Sequence, residues 1–443
     1  MNTLAQRMIS GSAWAFGGKI CTAGGSFVAN AMLIRLMNPT EVGIYFIAFS
    51  IVSIASTVAI LGMNQTAVRL IAECMAHGQT KGAIRIIKIA LTTAVIGIAL
   101  VITLIVGGVG EVLADEVFHA PLLKEILVFL MVWIAILSLQ NLIAEIFRGF
   151  HDIRFATVFG GLVTSVLTAL FFSGLILMQE ESRLTTIVSL TILAGGVSLF
   201  GAVYVLHHII SKMKRTGDGW LSSQAVLSIS FPFWITNITL LVLSQVAIWA
   251  IGIFLPQSEV AIYGAVLRLV TLVSMTLLIL NAVVPPIIAE LSAKDRKGEL
   301  EHSLRTATSI AAIPAVLCLL LFIGKGEQVL EFVYGEYYKE GAQILLLLSI
   351  GKLIGVCAGS CGQALMMAGH QKTMMLLTLM TGCLIIFFSI VFVQSHGAVG
   401  VAAVAMVGMI FQNVSMLIMA KKKVGIWTHV TLRPKLSRLN GKI

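Results

Sequence analysis

Three cations stand inside long apolar runs of this sequence: Lys19, Arg268 and Lys352. Ionisable side chains in such runs are costly and mark a functional site by default. Burial neutralises a lysine or demands a counter-charge, and carboxylates are scarce in these runs. Glu145 and Glu125 are the acids within them, each near an end of the run 122–147, Glu145 beside Arg148. Lys352 lies roughly 16 Å into the run 341–366, Arg268 about 12 Å into 260–286 and Lys19 about 10 Å into 12–37, at the helical rise per residue. A cationic cluster without acids expects water and an anionic ligand.

The polar residues around these cations recur at helical spacing. Lys19, Ser26 and Asn30 follow one another at seven and then four positions, which places them within about 20° on one helix face. Lys352, Gly359 and Gln363 repeat that spacing. Ser230, Asn237 and Ser244 form a heptad stripe, as do Ser53, Thr57 and Asn64. Small and amide side chains at this spacing also serve as helix-packing glue, a reading that competes for the neutral stripes. Packing has no need of a lysine, so the stripes that carry one are read as cavity walls. Arg35 lies near the outer end of its run, where snorkelling to the interface and a place on a cavity rim are both open. The candidate substrate-binding residues are Lys19, Asn30, Arg35, Asn237, Arg268, Lys352 and Gln363.

The elements that position them must be membrane helices. The chain has 443 residues, 58% hydrophobic and only 11% charged, with a mean hydropathy of +0.99. A soluble chain is about 45–50% apolar and about 25% charged, so a soluble enzyme, a secreted domain and a nucleic-acid-binding protein are all disfavoured. At about 20 residues per crossing the chain holds twelve spans, near 12–37, 42–63, 87–110, 122–147, 155–178, 184–210, 224–254, 260–286, 306–324, 341–366, 373–393 and 398–420. The first is too long for a cleavable signal of about 7–15 apolar residues and reads as a retained helix. The six cysteines lie mostly inside apolar runs, where they act as small hydrophobes.

Charge alternates between the gaps. Arg69, Lys81, Arg85 and Lys88 fill one, Lys212, Lys214 and Arg215 another, and Lys294, Arg296, Lys297 and Arg305 a third. The intervening gaps carry Glu111, Asp115 and Glu116, then Glu180 and Glu181, then Glu327, Glu331, Glu336 and Glu340. The positive-inside rule puts the basic set and both termini in the cytoplasm, and accounts for the net charge of +10 without nucleic acid. Two longer basic gaps, 64–88 and 286–305, read as amphipathic helices lying in the headgroups.

The chain also repeats itself. Glu41-Val42-Gly43-Ile44-Tyr45 returns as Glu259-Val260-Ala261-Ile262-Tyr263, each after a nearby proline, and Gly149-Phe150-His151 returns as Gly369-His370. An even number of spans per half keeps both halves in one orientation, a parallel repeat used by transporters. The domains expected are a six-helix lobe over 1–215, a second over 216–420, and a basic cytoplasmic tail over 421–443.

Arg35 to Tyr45, the run Leu61-Gly62-Met63-Asn64-Gln65 leading to Arg69, and Tyr263-Gly264-Ala265-Val266-Leu267-Arg268-Leu269 resemble the Wzx-type polysaccharide flippases of the multidrug/oligosaccharidyl-lipid/polysaccharide (MOP) exporter superfamily. Tyr334-Gly335-Glu336-Tyr337-Tyr338 and Gly397-Ala398-Val399-Gly400-Val401-Ala402 are similar to later stretches of the same family, so the resemblance runs along essentially the whole chain. It implies an all-α, V-shaped fold of two six-helix lobes. It implies movement of undecaprenyl-diphosphate-linked oligosaccharide to the outer leaflet of a bacterial inner membrane, by alternating access, for O-antigen or exopolysaccharide assembly. Polysaccharide polymerase and chain-length proteins would be its partners, with membrane lipids around it.

Other features carry less. Pro232 and Pro314 should kink their helices, and the Gly17-Gly18 and Gly24-Gly25 pairs allow either close packing or flexing. Cys357 and Cys361 at i, i+4 look metal-like but stand among small residues that favour packing, and His207-His208 ends a span at the interface. The sequence holds no GxxxxGK[ST] phosphate loop and no catalytic constellation. The reading is therefore no enzyme, no cofactor, no metal and no nucleic acid. A cation-coupled multidrug exporter is the alternative, and it wants buried carboxylates near the midplane. An anion channel is a third reading, disfavoured by the duplication.

Overall fold

The computed structural model describes residues 2–178, 183–217, 222–293 and 296–431, and among these residues it contains helices and turns but no strand. Glu180, Glu181, Lys294 and the tail beyond Thr431 lie outside the described residues. The chain divides into two compact units, Met1–Ile253 and Phe254–Ile443.

The first unit holds α1 (Asn2–Leu36), α2 (Pro39–Ile60), α3 (Met63–Ala76), α4 (Thr80–Val117), α5 (Leu127–Gly149), α6 (Ile153–Met178), α7 (Leu184–Lys212) and α8 (Ser223–Phe254). Local chemistry sets the start of α2. Asn38 Oδ1 accepts the Glu41 N–H at 3.0 Å, Glu41 Oε2 accepts from Asn38 Nδ2 at 2.9 Å, and Pro39 opens the first turn. The other Glu41 carboxylate oxygen accepts the Leu184 N–H at 3.3 Å, which ties the start of α7 to the same corner.

At its far end α2 is turned by Leu61 (φ 52) and Gly62 (φ 74). A Cβ on Gly62 would fall 2.3 Å from the Ser230 carbonyl oxygen of α8, so this left-handed turn with a backbone against it admits only glycine. The turn also separates Asn64 from Ser53 and Thr57, so those three residues do not form one stripe. The helix α3 that follows packs its apolar face on protein. Met63, Ala67, Leu70, Ile71 and Cys74 are buried in a core with Ile86 and Ile87 of α4 and Ile143, Ile146 and Phe147 of α5.

The helix α8 belongs to this unit by its bonds. Trp249 Nε1 donates to Ser50 Oγ at 2.8 Å and Trp234 Nε1 to the Val58 carbonyl at 3.1 Å. The compact division therefore falls after this helix, where the internal repeat suggested a boundary before it. In α1, a Cβ on Gly18 or Gly25 would meet Thr157 or Ser165 of α6 at 2.3 and 3.0 Å. Two of the four glycines thus serve close helix packing.

The second unit holds α9 (Gln257–Ala293), α10 (Lys297–Tyr334), α11 (Ala342–Ala358), α12 (Cys361–Met367) and α13 (Gln371–Lys423). The basic segment 286–305 forms no separate helix, because α9 continues to Ala293 and α10 starts at Lys297. The expected tenth span is broken. Gly359 (φ 75) stands between α11 and α12, where a Cβ would lie 2.3 Å from Thr308 Oγ1 and 2.4 Å from the Thr428 carbonyl oxygen.

The helix α13 contains the last two spans. Gly397 (φ 59) interrupts it, and Gln412 donates to Thr378 Oγ1 at 3.3 Å while Gly408 packs on Ile385, so the two limbs run antiparallel. Ten helices are long and apolar enough to cross a membrane when α13 counts once, and Ile20–Leu36 is a shorter apolar stretch. Splitting α13 and adding that stretch gives the twelve spans expected.

Candidate functional site

In the second unit the cations stand on adjacent parallel helices. Gly341 packs on Ile262 and Val266, and Ser360 Oγ donates to Asn281 Oδ1 at 2.7 Å. These two contacts fix the register of α11 against α9 and set Lys352 level with Ser274. Lys352 is thus about six residues, or about 9 Å, further toward the Ala293 end of α9 than Arg268. Lys352 is half-buried, and no carboxylate or hydrogen-bond acceptor among the described residues pairs with it.

Arg268 is half-buried and stands near the buried Tyr334 of α10. Tyr334 and Tyr338 pack with ring centroids 5.9 Å apart, and both hydroxyls are buried without a partner. Glu259 and Glu340 face each other at the first turn of α9, while Glu299 and Glu301 stand in the first turns of α10, paired with Arg296 and Arg305. Gln363 does not share a face with Lys352, because the break at Gly359 puts it on α12. The same break parts Cys357 from Cys361. No group of three or more potential metal ligands occurs among the described residues.

In the first unit the predicted stripe of α1 borders a cavity of about 320 Å³. Ser26 and Asn30 line it, with Thr22 one turn earlier; the side chain of Lys19 lies outside the described residues. Asn30 Nδ2 is turned back to the Ser26 carbonyl at 2.7 Å. Across the cavity, α6 is unwound at Gly160-Gly161. Gln140 of α5 donates from Nε2 to the freed Phe159 carbonyl and to Thr164 Oγ1, both at 2.7 Å, and to Ser198 Oγ at 3.1 Å. Wide helical turns of this kind recur at functional sites.

Sequence reasoning missed Gln140, Asn141, Thr164 and Thr168 of this cavity. The Gln140-Asn141 pair in the middle of an apolar run was the available signal. Asn237 is engaged in a reciprocal amide pair with Gln65, at 2.9 and 3.2 Å, that joins α8 to α3. Arg35 is exposed in the last turn of α1.

The beginning of the tail was expected as a basic extension. Gly425 to Thr431 instead run back along the second unit. The Val430 N–H donates to the Cys357 carbonyl at 2.9 Å, Thr428 Oγ1 to the Ala358 carbonyl at 2.7 Å, and the Trp427 N–H to Glu301 Oε2 at 3.1 Å. This segment satisfies the carbonyls that the end of α11 exposes. His429 lies beside Arg305 and Glu301, and burial, helped by the Arg305 charge, pushes its imidazole below the usual histidine range.

Residues 8–292 match the family described as polysaccharide biosynthesis protein. The chain belongs to this family. It is similar to the probable low-salt glycan biosynthesis flippase Agl15 of Haloferax volcanii, 21% identical over 399 residues that cover 87% of this chain and 78% of the relative. Its fold matches an inward-facing multidrug resistance MATE family transporter of the MOP superfamily with a TM-score of 0.72, at 14% identity over 91% of this chain and 94% of the other. The inward closed conformation of the lipid II flippase MurJ matches with a TM-score of 0.66, at 14% identity over 94% and 87% of the two chains. The likeness to these two structures gives the fold, that of a multi-pass helical membrane protein.

Proposed function

We propose that this family member flips an undecaprenyl-diphosphate-linked oligosaccharide from the cytoplasmic to the outer leaflet of a bacterial inner membrane, by alternating access, in O-antigen or exopolysaccharide assembly. The observation that carries this reading is Lys352, a half-buried cation in mid-span with no carboxylate beside it. Arg268, one or two helical turns away on α9, adds a second positive charge, and Lys19 of α1 a third. A diphosphate supplies the counter-charge that Lys352 lacks, and a lysine or arginine binds it through charge-assisted hydrogen bonds. A drug exporter coupled to cations needs the opposite polarity in its spans.

No nucleotide-binding loop drives the step. Carrying a diphosphate outward moves negative charge toward the positive face, which the membrane potential favours by about 2.3 kcal/mol per charge per 100 mV. The test is complementation of a deletion strain. Lys352→Ala should abolish surface polysaccharide at normal protein level, with partial rescue by Lys352→Arg, which keeps the charge and changes the donor geometry. Full complementation by Lys352→Ala, Arg268→Ala and Lys19→Ala alike would overturn the reading.

A further inference from the structure

The cavity of the first unit has a chemistry of its own. Among the described residues its walls carry no charged side chain. Its volume lies at the lower end of the about 300–1,000 Å³ typical of small-ligand sites, far more than the about 30 Å³ share of one water. Its polar groups are partly locked and partly free. The Nε2 of Gln140 is held by the Phe159 carbonyl and two hydroxyls, so the Oε1 of this buried amide is left as an acceptor of fixed direction. Asn141, on the next position, makes no hydrogen bond to any described residue, and neither does the hydroxyl of Thr168. Asn30 Oδ1 is likewise unused, because its Nδ2 alone is tied to Ser26.

An aromatic wall completes the cavity. Tyr45 and Phe49 line it, and Trp133 packs behind both rings at 5.7 and 5.8 Å. Fixed amide acceptors, a free amide that both donates and accepts, a free hydroxyl and an apolar ring face make a combination that suits a ligand with several hydroxyls on one side and C–H groups on the other. An ion is poorly served here, since nothing in the walls offsets its charge.

We propose that this cavity takes one uncharged sugar residue of the transported glycan. The inference rests on the flippase reading above and deepens it: the diphosphate is held by the cations of the second unit, and a neutral sugar by the amides of the first. The observation specific to it is the pair formed by the locked Gln140 and the free Asn141. A carboxylated sugar would place its charge against walls that carry none, so the site selects neutral hexoses and N-acetylhexosamines over uronic acids.

The test uses the purified full chain in nanodiscs with glucose, galactose, mannose, N-acetylglucosamine and glucuronic acid as probes, read by saturation-transfer NMR and by the emission of Trp133 against a Trp133→Phe control. At least one neutral sugar should bind with a millimolar Kd. The double variant Asn141→Leu, Thr168→Val should weaken it at least tenfold, Asn141→Gln should restore part of it, and Lys352→Ala should leave it within twofold of wild type. In cells the double variant should lower surface polysaccharide at unchanged protein level.

Three results would overturn the proposal. The first is binding by none of the neutral sugars, the second is binding that ignores the double variant, and the third is a thermal shift with sodium alone that the double variant removes. The flippase reading fails separately. It falls if Lys352→Ala, Arg268→Ala and Lys19→Ala all complement fully, whereas the sugar site falls if Lys352→Ala stops transport and the double variant does not.

Discussion

The two units solve the cost of polar groups in a membrane in opposite ways. In the first unit the inward polar side chains are neutral and largely bonded to one another: Gln140 joins Phe159, Thr164 and Ser198, and Gln65 joins Asn237. In the second unit Lys352 has no acid beside it among the described residues, and Arg268 stands near a buried tyrosine. A buried network that is satisfied stabilises its surroundings. An unmatched cation destabilises them and is retained for something it binds.

The sharpest way to break that contrast is Lys352→Met. Transport should fall by more than a hundredfold in a vesicle flipping assay while the melting temperature of the purified protein stays at or above the wild-type value. A clear drop in melting temperature would make Lys352 a structural residue and cancel the distinction. Next in size is Gly359→Val. Its side chain has no room between Thr308 and Thr428 and a strained positive φ, so a loss of several kcal/mol is expected, seen as failure to accumulate in the membrane.

Gln140→Leu should behave in the opposite sense to the lysine variant. It strands the Phe159 carbonyl, at a cost of about 1–3 kcal/mol, and should lower thermal stability measurably. A double-mutant cycle on Gln65→Ala and Asn237→Ala should give a coupling near 0.6 kcal/mol, as for other amide pairs in membranes. A coupling of zero would leave α8 held by its tryptophans alone.

The smallest effect concerns the tail segment. His429 is held below the usual histidine range by burial and by Arg305, with Glu301 opposing. The folded state therefore favours the neutral ring, and the stability of this segment is full above about pH 6.5 and falls as the pH drops below it. Protection factors for hydrogen exchange over 425–431, taken relative to the intrinsic rate at each pH, should fall between pH 7 and pH 5. His429→Asn should flatten that dependence.

Much of this was legible in the residues. Apolar runs of about 20 residues fix the number of spans, because lipid admits only helices and closed barrels, and the alternation of Arg and Lys with Glu orders them. The cap at Asn38-Pro39-Glu41 is local chemistry and is readable as such. Lys352 was visible as a mid-span charge for the same reason, since its cost does not depend on its neighbours.

Other features depended on contacts between residues far apart in sequence. The period that placed Lys352, Gly359 and Gln363 on one face assumed an unbroken helix, and the break comes from the approach of Thr308 and Thr428 to Gly359. The amphipathic pattern of 63–76 specified one apolar face, but only α4 and α5 decided that the face is buried in protein and not in lipid. The association of α8 with the first unit rests on two indole N–H groups that find Ser50 and Val58, 199 and 176 residues away. The cavity at Gln140 needed the unwinding of α6 to free the Phe159 carbonyl. Sequence determines which residues are too polar for lipid; tertiary structure decides which of them find a partner, because a partner is a matter of distance and not of order along the chain.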